Sequence, residues 1–163
     1  HSDQTLAMLS DASGVERTAL SAIRYQPNEA VLHADASMMP KRRHCWASWN
    51  YAEAADKACE KIDLTYWMNS LQPIPKEDPL LVTLNSTRPI RDELIYDQAT
   101  FHHPVYDLAA LAAQETVRAI NGTNSTWFCG AWMKNGFHED GLASAVDVVE
   151  AMRNEDAMGI AAE

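Results

Sequence analysis

The residues best suited to chemistry stand at the head of a helix. His138-Glu139-Asp140-Gly141 opens a run of helical apolar spacing, Gly136 lies in the loop before it, and Thr126-Trp127-Phe128-Cys129 leads into Gly130. A helix start leaves backbone amides unpaired and carries the positive end of the peptide dipoles, so it can hold an anion or a polarised carbonyl oxygen. Gly130 and Gly141 remove side chains where a ligand would approach backbone. His138 can change protonation near neutral pH, which suits polarising a ligand or moving a proton as well as a plain helix-start hydrogen bond. Glu139 and Asp140 can serve as acid or base, and dipole compensation alone also accounts for them.

Trp46, Trp49, Tyr66 and Trp67 can line a substrate cavity or pack a core. Lys41-Arg42-Arg43-His44 can meet an acidic head group or a phosphate, or simply turn in solvent. His102 and His103 are adjacent and point to opposite faces of a strand, a poor chelate. A metal-assisted hydrolase built from them and His138 lacks the spacing of a ligand set, so no metal is expected. Cys45, Cys59 and Cys129 are odd in number and far apart, which favours a reducing, cytoplasmic setting over a disulfide framework. The Asn-x-Ser/Thr matches at Asn85, Asn121 and Asn124 read as loop composition.

The elements that must position these groups follow from local patterns. Ser13-Gly14-Val15-Glu16 has the form of a capping box, opening a helix with Val15, Ala19 and Ile23 on one face and stopped near Pro27. Extended segments are expected at 29–34, 45–51, 62–69, 80–84 and 94–102. In the 62–69 segment, Ile62, Leu64, Tyr66 and Met68 are expected to form the buried face; 80–84 reads as covered on both sides. Residues 52–60 read as a hairpin loop. Asp107 can cap a helix carrying Leu108, Leu111 and Ala112, with Gly122 at its end. Residues 126–129 read as a short buried strand. The last helix carries Leu142, Ala145, Val146, Val149 and Met152 as one stripe and frays beyond Arg153.

Composition bounds the partners. The 163 residues are 47% hydrophobic, so they are not a disordered tail, and 13 basic against 23 acidic residues gives 13 − 23 = −10. That charge argues against duplex nucleic acid, and no apolar run approaches the roughly 20 residues of a membrane span. The chain begins His1-Ser2-Asp3, with no signal-peptide pattern, and is expected to be a piece of something longer.

Thr126-Trp127-Phe128-Cys129-Gly130-Ala131-Trp132 and Gly136-Phe137-His138-Glu139-Asp140-Gly141-Leu142-Ala143-Ser144-Ala145 resemble the C-terminal flavin-binding segment of the FAD-dependent amine oxidoreductase superfamily. The closer likeness is to its bacterial branch of predicted NAD/FAD-binding proteins, carried also by His1-Ser2-Asp3-Gln4, Ala22-Ile23-Arg24-Tyr25-Gln26-Pro27-Asn28, Met39-Pro40-Lys41-Arg42-Arg43, Trp46-Ala47-Ser48-Trp49-Asn50-Tyr51, Thr65-Tyr66-Trp67-Met68-Asn69 and Phe101-His102-His103-Pro104-Val105.

The resemblance implies an α+β fold, a mostly antiparallel sheet with flanking helices. Residues 1–106 would belong to a substrate-binding domain, and 107–163 would supply the last strand and helix of an FAD domain. It implies FAD contacts at Gly130, Ala131, Trp132, Phe137, His138, Glu139, Asp140, Gly141 and Leu142, with His138 nearest the chemistry. Trp46, Trp49, Tyr66 and Trp67 would line the substrate side. The activity implied is hydride transfer to FAD from a C–N or C–C bond of an amine or an apolar, lipid-like substrate. Two departures stand out: Ala131 replaces the family's acidic residue for the ribityl hydroxyls, and no Gly-x-Gly-x-x-Gly unit is present. This portion alone is therefore expected to retain FAD poorly, to need an N-terminal FAD domain as partner, and to self-associate through exposed apolar surface. A non-catalytic interaction domain that has lost flavin is the alternative.

Overall fold

The computed structural model describes residues 1–53 and 62–160, the last six of them through their backbone. The fold is α+β, and the chain divides into two compact units. Unit 1 is His1–Gln26 with Pro104–Glu163, and unit 2 is Pro27–His103. One boundary thus falls beside the 106/107 division drawn from sequence, and the other lies at 26/27.

Unit 1 is helical. α1 (Ser2–Met8), which the sequence patterns do not announce, precedes α2 (Gly14–Ala22). The capping box of α2 forms as expected: Ser13 Oγ accepts the Glu16 N–H at 3.3 Å, and Glu16 Oε2 accepts the Ser13 N–H at 2.6 Å. α4 (Leu108–Ile120) is capped by Asp107, whose Oδ1 accepts the Ala110 N–H at 2.8 Å while Oδ2 pairs with Arg24 at 2.7 Å. Gly122 follows at φ 89°, the left-handed conformation that turns a chain off a helix end. α5 runs His138–Ile160, continuing as a helix where fraying was expected beyond Arg153.

The faces of these helices differ from the sequence reading. On α4 the buried residues are Ala110, Ala113, Gln114 and Val117, while Leu108 is 85% exposed and Leu111 lies outside as well. On α5 Ser144 and Val148 are buried, and Leu142, Val146, Val149 and Met152 all face solvent in this chain. Small residues win the buried positions because α2 and α4 pack closely, and Gln114 and Ser144 win theirs because each gains hydrogen bonds there. The resulting core joins Leu20, Ile23, Val117, Phe128, Trp132 and Met133.

Unit 2 is built on a five-stranded antiparallel sheet in the order β2-β3-β4-β1-β5. The strands are β1 (Arg24–His33), β2 (Trp49–Ala52), β3 (Asp63–Trp67), β4 (Leu81–Leu84) and β5 (Ile95–Val105), with a single helical turn α3 (Met68–Leu71) after β3. β1 begins directly after α2 and passes through Pro27, five residues before the expected start at 29. Of the expected 45–51 strand only its end is β2, since Arg43–Cys45 forms a 3₁₀ turn. The loop expected at 52–60 falls almost wholly outside the described residues.

β3 turns the opposite face inward from the one expected. Asp63, Thr65 and Trp67 are buried, and Ile62 is 55% exposed. Asp63 and Thr65 each find a partner far along the chain: Thr87 N and Oγ1 donate to Asp63 Oδ2 at 2.9 and 2.6 Å, and Thr65 Oγ1 lies 2.8 Å from Thr83 Oγ1, while Asp63 Oδ1 and Trp67 Nε1 are buried without one. β4 alternates likewise, burying Leu81 and Thr83 instead of being covered on both sides.

Candidate functional site

The loop between α4 and α5 is held by side chains from both helices. Asn121, at the end of α4, bonds Phe128 on both backbone groups: its Oδ1 accepts the N–H at 2.8 Å and its Nδ2 donates to the carbonyl at 3.1 Å. This side chain does the work of a neighbouring strand, so residues 126–129 are not a strand in a sheet, contrary to expectation. Further along, Gln114 Nε2 donates to Trp132 O at 2.8 Å and Lys134 O at 2.7 Å, and Arg118 donates to Met133 O at 2.7 Å. One face of α4 therefore shapes the 3₁₀ turn Ala131–Met133.

The glycines serve different ends. Gly130 sits at φ 148°, and a Cβ there would lie 2.6 Å from Trp132 Nε1, so the tucked indole requires glycine. Gly136, at φ 91°, would place a Cβ 2.6 Å from the Tyr106 hydroxyl. Gly141 is an ordinary helical residue whose Cβ position is 3.6 Å from Ala131 N. A Cβ there would make ordinary contact with the Ala131 backbone, and only a longer side chain would crowd it. Ser144 Oγ, one turn on, accepts the Gly130 N–H at 2.8 Å and lies 3.1 Å from Gly130 O and 2.8 Å from Gly141 O, its one proton serving either carbonyl.

This clasp sets the loop against the first turn of α5. Asp140 Oδ2 accepts Asn135 N–H at 3.2 Å and Phe137 N–H at 3.0 Å, so its carboxylate closes the turn locally. Among the described residues the amides of Ala131, Trp132, His138, Glu139 and Asp140 meet no acceptor. His138 and Glu139 are exposed, as are Phe137 and Leu142, whereas Trp132 is buried. The Tyr106 hydroxyl is buried with no hydrogen-bond partner, and burial, with smaller contributions from Tyr25 and Asp140, pushes its pKa up to about 12.

The four aromatics singled out from sequence lie in unit 2 and form two pairs on opposite faces of the sheet. Trp46 meets Trp67 edge-on at 5.4 Å, with the Arg43 guanidinium 3.9 Å over the Trp46 ring; Trp49 meets its cross-strand neighbour Tyr66 at 6.1 Å. Arg43 also donates to Lys76 O at 2.7 Å, which ties down the basic turn. His102 and His103 are both exposed, and His103 Nδ1 is 2.8 Å from Asn28 Nδ2. Among the described residues no three His, Cys, Asp or Glu side chains gather where a metal ion could sit, and no helix is long and apolar enough to cross a membrane. Cys45 and Cys129 are free thiols, and Cys59 lies outside the described residues.

Sequence reasoning located the glycines and the helix start but gave no role to Asn121, Gln114 or Ser144. Gln114 and Arg118 stand one turn apart on a helix, a visible polar spacing; Asn121 and Ser144 carried no signal beyond their types. No family model and no curated protein matches this chain.

Proposed function

We propose that the chain is the C-terminal portion of an FAD-dependent oxidoreductase of the amine oxidase type. The observation that carries this reading is the clasp of Gly130 and Ala131 onto the first turn of α5, which leaves the Ala131, Trp132 and His138–Asp140 amides without acceptors. Unpaired amides beside a helix N-terminus suit the polar edge of a flavin ring and its ribityl chain, so the residues present fit that end of the group. They do not include a pyrophosphate-binding unit, which this reading assigns to a partner domain. A cytoplasmic setting goes with the reading, supported by the free thiols of Cys45 and Cys129.

When bound, FAD supplies the redox chemistry by accepting a hydride. The chain's own residues orient and shield: the amides of Ala131 and of the first turn of α5 hold polar atoms, the buried Trp132 packs beneath the loop, and His138 stands exposed at the head of the helix. With Ala131 in place of a carboxylate, the ribityl contact would rest on backbone donors alone. Of the aromatic pairs, exposed Trp49 beside Tyr66 offers apolar surface for an amine or lipid-like substrate, whereas Trp67 is buried with Met39 and Leu81 and packs a core instead.

Gly141→Leu tests the site in the flavin-loaded enzyme. The larger side chain must displace Ala131, so flavin should be lost on gel filtration while the helical circular dichroism persists. A folded variant that keeps its flavin would overturn the placement.

A further inference from the structure

Two Asn-Gly pairs occur in the sequence, Asn121-Gly122 and Asn135-Gly136, and they stand near the two ends of the loop between α4 and α5. In such a pair the glycine nitrogen can reach the asparagine side-chain carbonyl carbon, because no Cβ on the glycine shields it. The reaction that follows needs no oxidant and no cofactor. The glycine nitrogen attacks Asn Cγ, a C–N bond forms, and the side-chain nitrogen leaves as ammonia with the proton that the glycine nitrogen gives up. Water then opens the succinimide ring at either carbonyl, leaving aspartate or isoaspartate.

The fold sets the two pairs apart. Their nucleophiles are held alike: Gly122 N–H donates to Thr126 O at 3.0 Å, and Gly136 N–H donates to Ala131 O at 3.1 Å. Their backbones are alike too, with φ 89° at Gly122 and 91° at Gly136. The asparagine side chains differ. Asn121 is half-buried, its Oδ1 accepting Phe128 N–H at 2.8 Å and its Nδ2 donating to Phe128 O at 3.1 Å. Swinging its Cγ toward Gly122 breaks both bonds and loosens the chain at Phe128, a core residue. Asn135 is exposed, and only its backbone N–H is held, by Asp140 Oδ2 at 3.2 Å. Among the described residues its side chain has no partner to give up.

We infer that Asn135 is a site of spontaneous deamidation and that Asn121, in the same dipeptide, is protected by the fold. The change falls where the loop meets α5. Either product adds a second negative charge beside the Asp140 carboxylate that closes this turn. Isoaspartate also routes the main chain through the former side-chain carbon. That lengthens the turn which brings Gly136 N–H to Ala131 O and sets Gly136 against the Tyr106 hydroxyl. The inference goes beyond the flavin reading and is measured without flavin.

The test incubates the chain, folded or in urea, in ¹⁸O-labelled water at mildly alkaline pH. Only deamidation during the incubation then takes up label. Digestion with pepsin at acid pH, which halts the reaction, is followed by placing the label from fragment masses. In the folded chain Asn135 should label about tenfold faster than Asn121 or more, because Asn121 must first open locally. In urea the two rates should converge. Equal rates in the folded chain, or faster labelling of Asn121, would overturn the inference. So would a folded Asn135 that stays unlabelled while the unfolded chain reacts. Asn135→Gln, whose longer side chain needs a larger ring, should abolish that label with circular dichroism unchanged; label persisting in this segment would show that Asn135 is not the site.

Discussion

In unit 1 a large apolar cluster dominates, with Leu20 and Val117 wholly buried among Ile23, Phe128, Trp132 and Met133 and with Ser2, Glu16, Gln114 and Ser144 also buried, whereas in unit 2 His33, Asp35, Asp63, Thr65 and Thr83 are buried around a small cluster of Met39, Trp67 and Leu81. The polar groups of unit 2 form chains. Asp35 N–H donates to His33 Nδ1 at 3.0 Å, which assigns the ring proton to Nε2, 2.7 Å from Thr83 Oγ1; Thr83 in turn meets Thr65. Asp35 has no side-chain exposure, and its carboxylate accepts hydrogen bonds from Arg91 at 3.0 and 3.2 Å. The Arg91 contacts, chief among the causes, hold the Asp35 carboxyl well below the usual carboxylate range. Apolar packing is non-directional and responds to lost volume, whereas a buried hydrogen-bond chain responds to lost partners and to protons. The two units should therefore fail under different insults.

The largest expected effect is a cavity in unit 1. Leu20→Ala should cost about 3 kcal/mol, read from urea unfolding, because Leu20 is fully buried. A loss below about 1 kcal/mol would mean the helical core collapses around the gap and the contrast is weaker than drawn.

Thr83→Val keeps the shape of the side chain and removes the hydroxyl between His33 and Thr65. Leaving buried groups without partners should cost about 1 to 3 kcal/mol, a size out of proportion to the volume change. A neutral result would show that the chain in unit 2 is not stabilising.

The pH response should separate the units next. Burial, opposed by the nearby Asp35 charge, lowers the His33 pKa below its usual 6.5. The unfolded chain then takes up a proton first as the pH falls. His33 therefore contributes its stability fully above about pH 6.5 and loses it as the pH drops through the folded value. Asp35, Glu16 and Asp107 are all lowered carboxyls and titrate below this window. His33→Gln should flatten the stability profile on the acid side of about pH 6.5. At the other end Tyr106, raised to about 12, should withdraw stability from unit 1 as the pH rises from 10 toward 12, and Tyr106→Phe should reduce that loss.

The smallest effect belongs to the exposed stripe of α5. Leu142→Gln should change unfolding free energy by less than about 0.5 kcal/mol, since Leu142 is 61% exposed, and should lower self-association seen by sedimentation. Strong destabilisation would show that this stripe is covered in the folded chain.

Features set by neighbouring residues were legible in sequence. The Ser13–Glu16 box, the Asp107 cap, the Gly122 turn and the start of α5 at His138 each depend on contacts within a few positions. Which face of an element goes inward was not legible for β3, α4 or α5. Those faces are decided by partners far along the chain, Thr87 for Asp63, Trp132 and Lys134 for Gln114, Gly130 for Ser144. Apolar spacing alone counts such polar residues as outward-facing. At the candidate site the same limit applied: the glycines and His138 were visible as types, but the clasp that holds Gly130 against α5 depends on Ser144, fourteen residues on.

The most direct test of the flavin reading is the absorbance spectrum of the full-length protein, purified by gel filtration without added cofactor. Bands near roughly 370 and 450 nm that travel with the protein are the predicted result. A well-folded, colourless protein that stays colourless after incubation with FAD and refiltration would contradict the account.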